Sequence, residues 1–209
     1  MDVCSIILSA GKGSRMFSDI PKPLHLISGK PMLEWVIDAN NSANIKKCII
    51  VVPNDSKGFE GISNSFETVI QKIPKGTGDA VKKASVLLKK FTGIIVVCFG
   101  DTPFLTPESL KKIIKSFKDD TKLVITGFKK NEKNSYGKII FSTKNDPVEI
   151  IEQTDAVKKK IESEFCNGGI MAMHSSVLNH LNKIKENLIS KEFYLTDLVK
   201  ILNQEKKKI

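Results

Sequence analysis

The residues best suited to chemistry sit in three short stretches rich in glycine or acid: Gly11-Lys12-Gly13-Ser14-Arg15, Gly76-Thr77-Gly78 and Gly100-Asp101. Glycines lack a Cβ, so backbone N–H groups around them can close on phosphate oxygens, and a following helix N-terminus adds a favourable dipole. Asp101 follows an apolar run and a glycine, which puts its carboxylate at a strand end, where a Mg²⁺ bridging phosphates would sit. An N-cap or turn aspartate would look the same. Lys22, between Pro21 and Pro23, is a cation on a stiffened segment, although an ordinary surface lysine is the commoner occupant of such a position. Arg15 is the only arginine among 33 basic residues, and its planar fork suits two-pronged phosphate contacts that lysine cannot make. Neither glycine stretch completes G-x-G-x-x-G, and Gly11-Lys12 lacks the upstream glycine of a P-loop. His25, His174 and His180 have no ligand spacing, and no Ser–His–Asp arrangement can be picked out. That absence fits phosphoryl-type chemistry, which needs positioning and charge neutralisation more than a covalent nucleophile.

Strand–helix alternation positions these loops. Val3–Leu8 is a short apolar run that reads as a buried strand leading into the first glycine loop. Pro31 opens a helix through Met32, Leu33, Val36 and Ile37. Cys48–Val52 and Thr68–Ile70 read as further strands, the latter leading to Gly76-Thr77-Gly78 and a helix through Val81, Ala84, Leu87 and Leu88. Ile94–Phe99 is a fourth strand ending at Gly100-Asp101, and Thr106-Pro107-Glu108 caps the next helix. After about residue 121 strands dominate (Lys122–Phe128, Lys138–Phe141, Val148–Ile151, Gly169–Met173), and helix returns in Val177–Ile184 and Tyr194–Leu202. The expected fold is α/β: a Rossmann-like, mostly parallel but mixed central sheet with helices on both faces, in one domain over residues 1–209. In such a sheet ligands bind beyond the carboxyl ends of the strands, where the three loops fall.

Composition narrows the class. With 41% hydrophobic and 27% charged residues, the chain of 209 residues is ordinary for a globular protein with a sizeable core. No apolar run approaches the roughly 20 residues of a membrane-crossing helix, and the N-terminus has no basic region of a signal peptide, so a cytoplasmic location without membrane partners is expected. Cys4, Cys48, Cys98 and Cys166 are scattered, as core thiols are. The net charge of +10 comes from lysine pairs on helix-like stretches without interleaved aromatics, which argues against nucleic-acid binding.

Leu8-Ser9-Ala10-Gly11-Lys12-Gly13-Ser14-Arg15-Met16 resembles the L-x-A-G-x-G-x-R-M signature of nucleoside-diphosphate-sugar pyrophosphorylases, and Pro21-Lys22-Pro23-Leu24 resembles their P-K-x-L segment. Further blocks are similar to the uridylyltransferase domains of bacterial bifunctional N-acetylglucosamine-1-phosphate uridylyltransferases: Gln71 with Gly76-Thr77-Gly78, Phe99–Pro103, Tyr136–Ile139, Ile151–Ala156, Asn167–Ile170 and Glu192–Asp197. They fall in the family's order over nearly the whole chain. The resemblance implies the nucleotide-diphospho-sugar transferase fold and the union of UTP with N-acetylglucosamine 1-phosphate, with Mg²⁺ as cofactor, in cell-wall and lipopolysaccharide precursor supply. Leu8, Ser9, Ala10, Gly11 and Gly13 would wrap the nucleotide with Phe99 and Gly100, and Gln71, Gly76 and Thr77 would read uracil. Arg15 and Lys22 would neutralise the triphosphate, Asp101 would ligate the metal, and Gly137, Glu152 and Asn167 would hold the sugar. The chain stops soon after Glu192–Asp197, before the family's downstream metal-holding asparagine and its β-helix acetyltransferase domain, so acetyl transfer is not expected. Asp79 stands where the family usually has His. A sugar-1-phosphate nucleotidyltransferase of other specificity, or a catalytically weak paralogue that binds nucleotide sugar, remains as an alternative.

Overall fold

The computed structural model describes residues 1–209 apart from Lys12, Ser14, Arg15, Ser56, 131–133, Lys160 and Glu162. Strands β1 (Asp2–Leu8), β4 (Lys47–Pro53), β5 (Glu67–Gln71) and β6 (Gly93–Phe99) run parallel in the order β5-β4-β1-β6. The inner strands β4, β1 and β6 are largely apolar on both faces because both faces are covered, whereas the edge strand β5 is mostly unburied. Ile6, Leu8, Ile49, Val51, Ile95 and Val97 pack under α3 (Thr77–Ala84), α6 (Asp197–Gln204) and the 3-10 run Ser175–Lys183. On the opposite face, Ile7, Ile50 and Cys98 meet α1 (Met32–Ser42), while Ile94 and Val96 share a cluster with α4 (Pro107–Lys115). Thr106 caps α4, its hydroxyl accepting from the Ser109 N–H at 3.2 Å, with Pro107 in the first turn as expected.

The second half is antiparallel. β10 (Phe165–His174) pairs with β6 through Met171–His174, and β7 (Leu123–Lys129) lies along its other edge. β8 (Lys138–Phe141) meets β10 only at Cys166 and continues to β9 (Pro147–Ile151), completing an eight-stranded mixed sheet among the described residues. The register of β10 shifts between Asn167 and Met171. An extra residue in one strand bends it and sharpens its twist. The part of β10 before this shift pairs with β8 and the part after it with β6.

Several elements differ from the expectation. Val177–Ile184 lies mostly in the 3-10 run Ser175–Lys183 rather than an α-helix, and α6 begins at Asp197 rather than Tyr194. β10 extends four residues further towards the N-terminus than the Gly169–Met173 run, since Gly168-Gly169 is a bulge and not a strand end. The short helices α2 (Glu60–Ser65) and α5 (Gln153–Lys159) and the hairpin of β2 (Leu26–Ile27) with β3 (Lys30–Pro31) were not expected. Their apolar positions are too few to show a period. Among the described residues no helix is long and apolar enough to cross a membrane.

Candidate active site

At the carboxyl end of β1 the chain leaves the sheet through Ser9 and Ala10. The Ser9 N–H donates to Val51 O at 2.8 Å and the Gly100 N–H to Leu8 O at 2.9 Å, so the ends of β4, β1 and β6 are tied side by side. A Cβ on Gly100 would collide with Ser9 Oγ, so glycine is needed here for packing, and Gly100 itself does not line the cleft. Beyond these ends lies a cleft of about 860 Å³. Leu8, Ser9, Ala10, Gly11, Gly13, Phe99, Lys22 and Asp101 all border it. Arg15 lies outside the described residues.

Lys22 and Asp101 are brought into contact, Nζ to Oδ2, at 2.6 Å. Gly13, at φ +59°, makes this possible: a Cβ there would sit 2.7 Å from the Lys22 Cβ. The lysine is therefore carried close under the glycine loop by the turn Lys22–Leu24, where Pro21 and Pro23 on either side of it limit the backbone.

A second wall forms from Gln71, at the end of β5, and the loop into α3. Gln71 is buried, yet it borders the cleft, and its Nε2 donates to Gly76 O (3.1 Å) and Asp79 Oδ2 (2.7 Å). Gly76 has φ +95° and ψ 176°, a region essentially closed to other residues. The segment Glu192–Thr196 docks against it. Phe193 N–H donates to Lys75 O, and Gly78 N–H to Phe193 O, both at 2.8 Å. Leu195 N–H donates to Thr77 Oγ1 at 3.0 Å.

The same segment reaches the far side, where the Thr196 hydroxyl donates to Glu152 Oε1 at 2.8 Å. Burial, foremost, pushes the Glu152 carboxyl above the ordinary range; the Thr196 bond works against it, and Asp155 and Glu192 add to it. Asn167, on the bulge of β10, also borders the cleft. Its N–H donates to Gly137 O at 2.8 Å and its Oδ1 accepts from Gly169 N–H at 3.1 Å, so its Nδ2 remains for the cleft. Gly137 lies behind this pair without bordering the cleft: a Cβ there would come 3.3 Å from Glu152 Oε2. Glu192, Tyr194, Leu195 and Thr196 also line the cleft, although no role attaches to them on residue type alone. The Glu192–Asp197 block was the signal that could have found them.

The described residues contain no group of three or more His, Cys, Asp or Glu arranged for a metal. Asp101 offers a single carboxylate, one oxygen of which already meets Lys22. Such a donor set fits Mg²⁺, which keeps several waters and is held by one or two carboxylates together with substrate phosphates.

A cleft with a glycine loop, a lysine–carboxylate pair and two polar walls can bind a phosphorylated nucleotide beside a second polar ligand. The bifunctional protein GlmU of Buchnera aphidicola (subspecies of Schizaphis graminum) is 42% identical over 206 residues, covering 96% of this chain and 43% of that protein. The bifunctional protein GlmU of Ruegeria is 35% identical over 210 residues, covering 98% of this chain and 46% of that protein. The chain thus spans less than half the length of these relatives. A crystal structure of UDP-glucose pyrophosphorylase complexed with UDP-glucose superposes with a TM-score of 0.81 over 99% of this chain and 89% of that one, at 18% identity, a likeness of fold. Residues 5–190, from β1 to beyond the 3-10 run, match the MobA-like NTP transferase domain, and the chain belongs to that family of nucleotidyltransferases.

Proposed function

We propose that this chain is a uridylyltransferase that joins UTP to N-acetylglucosamine 1-phosphate and releases pyrophosphate. The observation that carries the reading is that a single cleft gathers both kinds of wall: Gln71, Gly76 and Thr77 on one side, and Glu152 and Asn167 on the other, with Lys22 and Asp101 also lining it. The identity to bifunctional GlmU proteins over nearly the whole chain supports the choice of substrates.

In this reading the glycine loop and Phe99 seat the nucleotide, and Gln71 with the Gly76-Thr77 loop reads its base. Glu152 accepts from a sugar hydroxyl, the Asn167 Nδ2 donates to the sugar's polar substituents, and the Gly137 carbonyl keeps Asn167 in register. An oxygen of the sugar phosphate attacks the α-phosphorus of UTP. A new P–O bond forms there, the bond to the bridging oxygen breaks, and its electron pair leaves with pyrophosphate. The attacking oxygen is already ionised, so no general base is needed. Lys22 lies against the triphosphate and balances charge that grows in the transition state; Arg15 would do the same. Mg²⁺ held by Asp101, when bound, supplies further charge neutralisation and orients the phosphates.

The test is pyrophosphate release by the purified chain with UTP, N-acetylglucosamine 1-phosphate and Mg²⁺, using glucose 1-phosphate, glucosamine 1-phosphate, dTTP and CTP as competitors. Release confined to UTP and the N-acetylated sugar is expected. Turnover of a different pair would keep the chemistry and replace the substrates. UTP binding without turnover of any pair would overturn the enzyme reading in favour of a nucleotide-binding module.

A further inference from the structure

The contact between Gln71 and Asp79 goes beyond this reading, though it rests on the nucleotide end of it. A primary amide has two N–H donors and one carbonyl acceptor, and its orientation follows from what surrounds it. Both donors of Gln71 are engaged, one by Gly76 O and one by Asp79 Oδ2. Each of these partners can only accept. Turned over, the amide would set Oε1 against a carbonyl oxygen and a carboxylate. The shorter bond, at 2.7 Å, is the one to the carboxylate, as charge-assisted bonds are.

Asp79 is itself held. It lies in the first turn of α3, its side chain is 14% exposed, and Lys83 Nζ donates to its other oxygen at 2.6 Å one helical turn on. The carboxylate is thus fixed between a cation and an amide. What remains for the cleft is Gln71 Oε1, which has no partner among the described residues and is not sealed from solvent. A fixed acceptor at the base wall pairs with a ring N–H. Uracil has one at N3 and thymine does too; cytosine has a lone pair in its place.

We propose that Asp79 is a positioning residue for base selection: by holding both Gln71 donors away from the cleft together with Gly76, it presents Oε1 to the base and excludes cytosine. The residue need not touch the nucleotide to do so. An imidazole at this position could offer a donor or an acceptor according to tautomer; a carboxylate can only accept. The selection therefore does not depend on a tautomer.

The substitution that isolates this role is Asp79→Asn. Asparagine has one carbonyl oxygen for two donors, Lys83 and Gln71. The charged lysine takes the oxygen and the Asn Nδ2 faces Gln71: the unturned amide then meets a donor and the turned amide meets Gly76 O, so neither orientation is held and the turned one becomes populated. In the turned orientation Nε2 enters the base wall and suits the lone pair at cytosine N3. In the pair Asp79→Asn with Lys83→Met the Asn oxygen is free for Gln71, and the original orientation returns.

The experiment measures equilibrium binding of UTP and CTP to the parent chain, Asp79→Asn, Asp79→Asn/Lys83→Met, Gln71→Ala and Gln71→Ala/Asp79→Asn, with near-ultraviolet circular dichroism to confirm a native fold. The expected result is a preference for UTP in the parent that falls on the order of tenfold in Asp79→Asn. It recovers in the double variant with methionine, and Asp79→Asn causes no further fall once Gln71 is alanine. A ratio within twofold of the parent in Asp79→Asn overturns the inference, as does a fall that Lys83→Met fails to reverse or one that persists without Gln71. A parent that binds both nucleotides equally overturns it as well. Pyrophosphate release is measured separately: a parent that discriminates the bases but does not turn over N-acetylglucosamine 1-phosphate refutes the proposed reaction and leaves base selection standing.

Discussion

Gly76→Ala perturbs the point where the base loop meets the segment Glu192–Thr196. At φ +95° and ψ 176°, an alanine is in a backbone region that costs about 1–3 kcal/mol. Its Cβ would also lie 2.6 Å from Phe193 O and 2.9 Å from Phe193 N, which no side-chain rotation can relieve because both are backbone atoms. The segment must withdraw. Withdrawal weakens Gly78 N–H to Phe193 O, Phe193 N–H to Lys75 O and Leu195 N–H to Thr77 Oγ1, each contributing about 0.5–1.5 kcal/mol. Strain and partial loss of these bonds together give a destabilisation of about 3–5 kcal/mol. For a chain of this size that lowers the unfolding midpoint by roughly 6–20 °C. Thermal unfolding followed by circular dichroism reads the effect. Gly11→Ala is the control: a Cβ there meets nothing within 4 Å, and stability should stay within about 0.5 kcal/mol of the parent. A Gly76→Ala midpoint within about 2 °C of the parent would falsify the argument that this glycine holds the segment in place.

Other outcomes follow from the cleft and its surroundings. Asp101→Ala should lower the rate of pyrophosphate release by about 10²–10³, the scale of losing one charge-stabilising group; because Asp101 is partly exposed, its unfolding midpoint should move little, and a rate near that of the parent rules out its place at the phosphates. Thr196→Val removes the hydroxyl bond that holds the Glu152 carboxyl down against burial, so that carboxyl should rise further. The pH profile of turnover should then shift upward on its acid side, with a higher KM for the sugar phosphate; an unmoved profile would separate Thr196 from the sugar wall. Asp197 is pushed up from 3.8 to about 6, chiefly by burial, with Lys200 opposing. The folded state binds this proton more tightly than the unfolded one, so the contribution is fully present below the unfolded value and is lost as pH rises from about 4 through about 6. Asp197→Asn should therefore gain stability over the parent above pH 6, on the order of 2 kcal/mol. Parallel urea midpoints for the two proteins across pH 4–7 would show that Asp197 is not the source of that dependence.

The parallel half of the sheet was legible because a strand buried on both faces writes itself as an unbroken apolar run. Val3–Leu8, Cys48–Val52 and Ile94–Phe99 each lie within the strand that forms. The antiparallel half was harder. Gly168-Gly169 resembles a loop in sequence, and only pairing with β7 reveals it as a bulge within one strand. The 3-10 run Ser175–Lys183 keeps Val177 and Leu181 buried, and those two residues suit an α-helix equally well. At the site, glycine loops and Asp101 announced themselves by type. Lys22 drew notice for its prolines and for the Pro-Lys-x-Leu pattern, but its approach to Asp101 depends on a glycine loop folding back over it. Asp79 was visible as an unusual residue, but its grip on Gln71 joins a strand end to a helix turn and has no trace in either element alone. Thr196 gave no sign of its bond to Glu152, since it fell inside the expected helix Tyr194–Leu202; the helix in fact begins at Asp197, and the Thr196 side chain makes no capping bond.

The docking of Glu192–Thr196 bears on how the protein is made. Leu195 closes on Thr77 across 118 positions of sequence. Contacts that distant carry a loop-closure cost and slow folding. During synthesis the strands and glycine loops emerge long before the piece that spans their gap, so a nascent chain offers no complete base wall until residue 196 has cleared the ribosome. In the finished protein the order is reversed. In the proposed reading a nucleotide would sit against Gln71 and Thr77, on the loop to which the late segment is tied, and that segment leads directly into α6. Occupancy should therefore slow amide exchange along α6, so that helix would report on a nucleotide bound at the base loop.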